Sequence, residues 1–514
     1  MLVENPLYTA LRRIQTRPLR IFSMIAVEIL VIGIIFLICL WNSTDFNSGK
    51  VLIEDFGRTF SNWMIALQYI AIVIIGTFSI ESRIVRDRIS EIINFHRLTQ
   101  LSPSSIIVGY ITGSTFDSLI LWLILFFAGI AGVLLGGLNF SQYLASSLLI
   151  LFCAAFFYIL AVWSGLNKSI YLRSGARQIW GFASILTIFS AHPAGTVFDL
   201  NFLSSTPAIL YILRSNNTHE YFPLFNSLPN LWGVPLLPVL YTLCLWASFG
   251  TLFWFSSIRK IPFEDSPKFS KKETLWAFSI FAFFITGRIS GILEKFKETF
   301  ILSAGVILVI LLSFALLIIS IPERINLRRY LIKLQMDKTI PWYRDDMTSL
   351  QLTAFLIMLS ITAQVIIYIH AGIYISLISK NISHIIFQLI IFALSMFFIL
   401  FIVEGCRMKF SKNQDSVSAL IIFAWFIAVP IVIALYISKG HNSNYWLMGL
   451  SPTNFFVIPE FVAESKLERY STSLNIARII AIVITAGFTY LSFLFWKNSR
   501  KIFKMTIFTK EKQK

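Results

Sequence analysis

Runs of about 20 apolar residues bounded by charges recur along the whole chain, and this recurrence constrains the fold more than any other feature. In a helix, at about 1.5 Å per residue, a run of that length crosses the roughly 30 Å hydrocarbon core of a bilayer. Twelve such segments are legible, near residues 21–41, 63–80, 115–135, 143–163, 178–198, 234–255, 274–293, 300–320, 351–371, 384–403, 416–437 and 475–496. Composition agrees: of 514 residues, 56% are apolar and 13% charged. Soluble domains run at about 45–50% and about 25%. So little charge excludes a soluble multidomain enzyme, and equally a disordered or fibrous chain. Barrel strands would alternate polar and apolar residues, whereas unbroken Ile, Leu and Phe point to helices. The expected fold is an all-α polytopic membrane protein with twelve transmembrane helices.

Charge placement orients these helices. With the N-terminus inside, the cytoplasmic segments hold 32 of the 43 Lys and Arg residues, and every one of those segments is basic. That is the positive-inside pattern, and it puts both termini in the cytoplasm. It also decides the doubtful segment 274–293, which Arg288 interrupts. Were that segment not to span, Arg324, Arg328, Arg329, Lys333, Lys338 and Arg344 would all face outward. The net charge of +17 is thereby read as membrane topology and not as a nucleic-acid footprint. Cys39, Cys153 and Cys244 lie within apolar runs and Cys406 beside one, a placement that suits neither a disulfide framework nor a paired-Cys metal site. The first apolar run is read as a span and not as a cleavable signal, since no small-residue cleavage site follows it.

The connections are short. The longest are 438–474 on the outside, 37 residues, and 81–114 on the inside, 34 residues. Independent domains begin at about 50 residues, so no soluble catalytic domain is expected. The phosphate-binding pattern G-x-x-x-x-G-K-[ST] is missing, and the one Gly49-Lys50 pair is followed by Val51. The histidines are scattered singly, which argues against a membrane-embedded enzyme, and no cofactor is implied.

Landmarks recur about 240 residues apart. The sixth span ends Leu252-Phe253-Trp254 and leads to Arg259-Lys260-Ile261, while the twelfth ends Leu494-Phe495-Trp496 and leads to Arg500-Lys501-Ile502. The second exits through Glu81-Ser82-Arg83-Ile84, the eighth through Glu323-Arg324-Ile325. The reading is a tandem duplication of six-helix halves, residues 1–261 and 262–514. Such a 6+6 repeat suits ion-coupled carriers as well as fused permeases driven by separate ATPases.

The loop after the second span reads Glu81-Ser82-Arg83-Ile84-Val85-Arg86-Asp87-Arg88-Ile89-Ser90-Glu91-Ile92-Ile93-Asn94-Phe95-His96-Arg97-Leu98 and continues to Leu101-Ser102-Pro103. Val85, Ile89, Ile92 and Ile93 are spaced for one helix face, and Arg83, Asp87 and Glu91 for another, which predicts an amphipathic cytoplasmic helix ending before Ser102-Pro103. Such a helix can lie on lipid headgroups or serve as a lever for a partner.

From Asp87-Arg88 through Asn94-Phe95-His96-Arg97-Leu98, Leu101-Ser102-Pro103 and Gly109, this stretch resembles the corresponding loop of type 2 ABC (ATP-binding-cassette) permeases. The opening Asn5-Pro6-Leu7-Tyr8-Thr9-Ala10-Leu11-Arg12-Arg13 is similar to their amphipathic N-terminal helix. The chain departs from that pattern at Tyr110, where the family has Lys, and lacks a Gly-Thr-Leu tripeptide. The resemblance implies an inner-membrane exporter permease without its own nucleotide site, working with cytoplasmic ABC ATPase subunits among membrane lipids. It implies coupling helices at Glu81–Pro103 and Glu323–Asp346, with Arg86, Asp87, Arg88, Glu91, Arg97, Glu323, Arg328 and Arg329 as the coupling residues. It also implies short outer helices or re-entrant hairpins within 199–232 and 438–474.

The alternative is an ion-coupled secondary transporter with the same parallel repeat. Such carriers place ionisable groups at mid-membrane, and Glu28, about eight residues into the first span, is the clearest intramembrane candidate. A carboxyl bonded to a neighbouring helix is its plainer reading. The loop after the second span lacks the Gly-x-x-x-Asp-Arg/Lys-x-Gly-Arg pattern of major-facilitator carriers, which demotes that alternative.

Overall fold

A chain in hydrocarbon must satisfy its backbone N–H and C=O groups within its own segment, and the long apolar runs accordingly fold as helices. The computed structural model describes residues 7–10, 18–44, 52–98, 101–137, 139–167, 209, 230–232, 234–262, 268–296, 299–321, 328, 349–374, 382–410, 414–428 and 464–512. Among these, eight helices are long and apolar enough to cross a membrane. Gln68, Ser146, Gln364 and Gln388 are fully buried, while Leu19, Phe22, Phe127 and Ile369 are exposed. Polar groups inside and large apolar groups outside invert the soluble pattern. With the eight helices, this defines an all-α polytopic membrane protein. The expected segment 178–198 lies outside the described residues, as does the part of 416–437 beyond residue 428.

The helices fall into two units, Met1–Pro229 with Leu236–Glu264, and Asn230–Pro235 with Asp265–Lys514. The first contains α1 (Pro18–Asn42), α2 (Ile53–Tyr69), α3 (Gly76–Ile89), α4 (Ile92–Leu98), α5 (Pro103–Ser114), α6 (Phe116–Leu135), α7 (Phe140–Asn167) and α8 (Pro238–Lys260). Its core joins Cys39 of α1, Phe56, Phe60 and Met64 of α2, and Leu121 and Leu125 of α6. Gly57 lets α2 approach α6 closely: a Cβ there would lie 2.7 Å from the Gly132 carbonyl oxygen.

α2 and α3 are joined by a π-helical turn, Ile70–Ile75, into one rod of 37 residues, twice the length expected for this span. At about 1.5 Å per residue it is longer than a hydrocarbon core of roughly 30 Å requires. Glu54 and Asp55 sit in its first turn and Arg86 and Arg88 in its last, each where the helix dipole favours that charge. A π turn disturbs the regular ladder of backbone bonds. Here the Tyr158 hydroxyl of α7 donates to the Ile72 carbonyl at 2.7 Å, and Gly76 leaves room for the Tyr158 ring.

The second unit contains the two-residue strands β1 (Asn230–Leu231) and β2 (Val234–Pro235), then α9 (Lys271–Phe296), α10 (Thr299–Ser320), α11 (Ser349–Tyr374), α12 (Ile382–Lys409), α13 (Gln414–Phe423) with a π turn at Ala424–Ala428, and α14 (Glu464–Lys512). α9 is one continuous helix through position 288. It opens on a reciprocal cap: the Glu273 N–H donates to Ser270 Oγ at 3.2 Å, and the Ser270 N–H to Glu273 Oε2 at 2.8 Å. Between β1 and β2, Trp232 has φ 54° and its N–H donates to the Gly287 carbonyl at 3.0 Å. Gly287 has no side chain, and the indole takes that space. The bundle is held by Phe314 against Phe392 (5.9 Å) and by the Ser313–Ser360 hydroxyl pair at 2.7 Å. α12 and α14 pack closely where Gly405 meets Phe495.

Candidate functional site

The loop after the second span is not one helix. α3 ends at Ile89, Ser90 and Glu91 turn, and α4 begins at Ile92. Glu91 has φ 59°, a left-handed conformation that costs an L residue roughly 1–2 kcal/mol and ends a right-handed helix. Glu91 therefore leaves the face it was expected to share with Arg83 and Asp87. α4 closes at Leu98, and Pro103 opens α5 instead of merely ending the preceding helix. Ser102 caps α5, accepting the Ser105 N–H at 3.2 Å, and proline suits the first helical position because it needs no donor there.

The buried face also differs from the expected one. Of the expected stripe, Ile93 is buried, but Val85 is half-buried and Ile89 and Ile92 are exposed, and α3 buries Ile80, Glu81, Ile84 and Asp87 instead. Two carboxylates can sit there because each has donors. Ser164 Oγ of α7 donates to Glu81 Oε1 at 2.8 Å. The Tyr110 hydroxyl of α5 donates to Asp87 Oδ2 at 3.1 Å, and Arg83 Nε lies 3.2 Å from Asp87 Oδ1. Arg88 donates from Nη1 to the Gly165 carbonyl of α7 at 3.0 Å. Further along, the Trp163 indole donates to Ser256 Oγ of α8 at 3.1 Å. These contacts bind α3 to α5 and α7.

His96 of α4 packs edge-on to Tyr110, ring centroids 6.1 Å apart. Burial is the largest influence on it and pushes the imidazole below its usual range; Asp87 pulls it up by less, and Arg83 pushes it down.

The expected coupling residues consequently divide. Arg86 and Glu91 are on the surface, on either side of the elbow. Asp87 is buried, and Arg88, half-buried, donates inward to the Gly165 carbonyl. Arg97 lies in α4. Arg328 is helical and exposed, whereas Glu323 and Arg329, with nearly all of the second expected coupling segment, fall outside the described residues. The expected outer segments 199–232 and 438–474 do so for most of their length. Glu28 is partly buried on α1. It is spaced four residues from Met24 and Ile32, which pack with Ile35 on the α2–α6 core.

Sequence reasoning missed Ser164, Gly165 and Tyr110 as partners, and Glu404 altogether. Glu404 of α12 is buried at 3% exposure, with the charges of Arg500, Lys271 and Arg407 acting on it. The Arg83–Asp87 spacing of four was the available signal for the contacts of α3; for Glu404, it was a lone acid among basic residues at the end of a span.

No protein-family model, curated protein or solved structure matches the chain.

Proposed function

We propose that the chain is the permease subunit of an ATP-driven exporter, with twelve spans in two tandem six-helix halves, both termini in the cytoplasm and a separate P-loop ATPase as its engine. The observation that carries the reading is the elbow of the first unit. Arg86 and Glu91 face outward at the junction of α3 and α4. Directly behind them, Glu81 and Arg88 fasten α3 to α7. A force applied at the elbow therefore reaches the interior of the bundle with little slack. The short connections support the same reading, since the energy source has to be another polypeptide. The lipid environment is that of an inner, plasma membrane.

Affinity purification of the chain from its native membrane tests the proposal: a P-loop ATPase should travel with it. Reversing the exposed charges, Arg86→Glu with Glu91→Lys, should lower the transport obtained per ATP hydrolysed by roughly fivefold or more, the scale of ordinary site-to-site coupling. Unchanged coupling in a folded variant contradicts the lever. The second reading, an ion-coupled carrier, is favoured by the position of Glu28 on the packed stripe of α1. Gradient-driven uptake by the chain alone, lost in Glu28→Gln, would select it.

A further inference from the structure

α4 is too short to hold itself together in water. It has 7 residues, whereas an isolated helix shorter than roughly 12–15 is marginal at best. Its order therefore depends on what covers its sides. One side turns inward: Ile93 is buried, and His96 packs against Tyr110 of α5. Another carries Ile92, Phe95 and Leu98, which are 41%, 67% and 85% exposed. At about 100° per residue these three cover about a third of the circumference, so they form an outward apolar stripe. Ile89, the last residue of α3, is exposed as well, just before the turn.

The stripe continues a surface that already faces lipid. On α3, Phe78, Ser82, Val85 and Ile89 recur at helical spacing along one side. Phe78 is exposed in the apolar part of the rod, as are Ile70 and Ile75 before it. The length of the rod sets the level of the elbow. From Glu54 to Arg86 it rises about 48 Å, at about 1.5 Å per residue. A bilayer with both headgroup layers measures about 40–45 Å, and an ordinary tilt of about 20° brings the two lengths together. The charges at both ends of the rod then lie among headgroups. Glu91, with its left-handed φ of 59°, ends the rod at that level, and α4 begins there and not in the water beyond.

We propose that α4 is an interfacial helix and that lipid covers its apolar stripe: Ile89, Ile92, Phe95 and Leu98 enter the boundary between headgroups and acyl chains. Helices with Phe and Leu on one side and charge beside it take this position. Arg86, exposed at the same level, meets anionic headgroups there. Ile93 and His96 keep the opposite contact with the bundle, so α4 is held between lipid and protein. The inference stands apart from the ATPase reading, because lipid covers the apolar side of the elbow whether or not a partner meets its polar residues.

The test is photo-cross-linking of the full chain in its native membrane, with p-benzoylphenylalanine replacing Phe95, Leu98 or Ser90 in turn. Mass spectrometry should find phospholipid adducts at Phe95 and Leu98, and several-fold fewer at Ser90, an exposed polar residue of the turn. Adducts with another polypeptide in place of lipid would assign the stripe to a protein partner and overturn the proposal. A second measurement uses smaller changes, should a benzophenone disturb folding. Leu98→Cys and Ser90→Cys are each labelled with a nitroxide in a Cys244→Ser background, the other three cysteines being buried. In liposomes of the chain alone, relaxation by oxygen relative to a water-soluble nickel chelate should be several-fold greater at Leu98 than at Ser90. Equal ratios at the two positions would place the stripe in water and overturn the interfacial helix.

Discussion

Each unit ties the ends of two long helices together with an arginine and a backbone carbonyl, but in opposite directions. In the first, Arg88 on α3 donates to Gly165 at the end of α7. In the second, Arg407 near the end of α12 donates to Ile321 at the end of α10. The carboxylates differ more. Glu81 and Asp87 each accept from a hydroxyl, with Arg83 beside Asp87, whereas the charges of Arg500, Lys271 and Arg407 act on Glu404. Similar joints thus hold their acids in different surroundings.

The comparison breaks most visibly at its acids. Glu404→Leu removes the inward counter-charge from three cations and should cost about 3–5 kcal/mol, the scale of breaking a buried ion pair. It would be measured as a large drop in melting temperature in detergent. Glu81→Leu takes the acceptor from the buried Ser164 hydroxyl bond and should cost about 1–3 kcal/mol. Equal losses in the two variants would erase the distinction between the units. Smaller again is Tyr158→Phe, which removes the donor to the Ile72 carbonyl at the π turn and should cost about 0.5–1.5 kcal/mol without moving the elbow.

The finest test is pH. Burial holds His96 below its usual range, so the unfolded chain binds the proton more readily than the folded one. Stability from this residue is therefore complete above the ordinary histidine pKa of about 6.5 and declines as pH falls from there toward the depressed folded value. Hydrogen exchange of α4 should quicken as pH drops through that window in the wild type and not in His96→Gln. The same response in both variants would remove His96 from the account.

The helical, membrane-embedded class was legible because apolar runs of spanning length leave few folds open. The elbow was legible only in part. Hydrophobic spacing put Val85, Ile89, Ile92 and Ile93 on one buried face; Ile93 is buried, but α3 buries Glu81 and Asp87 in place of Val85 and Ile89, since Ser164 and Tyr110 supply donors from 83 and 23 residues away. Periodicity does not register partners at such distances, nor a left-handed residue such as Glu91. The π turns were equally hidden, because Ile70–Ile75 is as apolar as any helical stretch beside it. Glu404 escaped notice because Lys271 and Arg500 reach it from two other helices far away in sequence.

The central claim is that this bundle moves its substrate only with a borrowed engine, and reconstitution tests it most directly. In liposomes containing the purified chain alone, ATP hydrolysis and uphill transport should both be missing; adding the ATPase that co-purifies with the chain should produce the two together. Uphill transport by the chain alone, driven by an ion gradient or by ATP, would contradict the account.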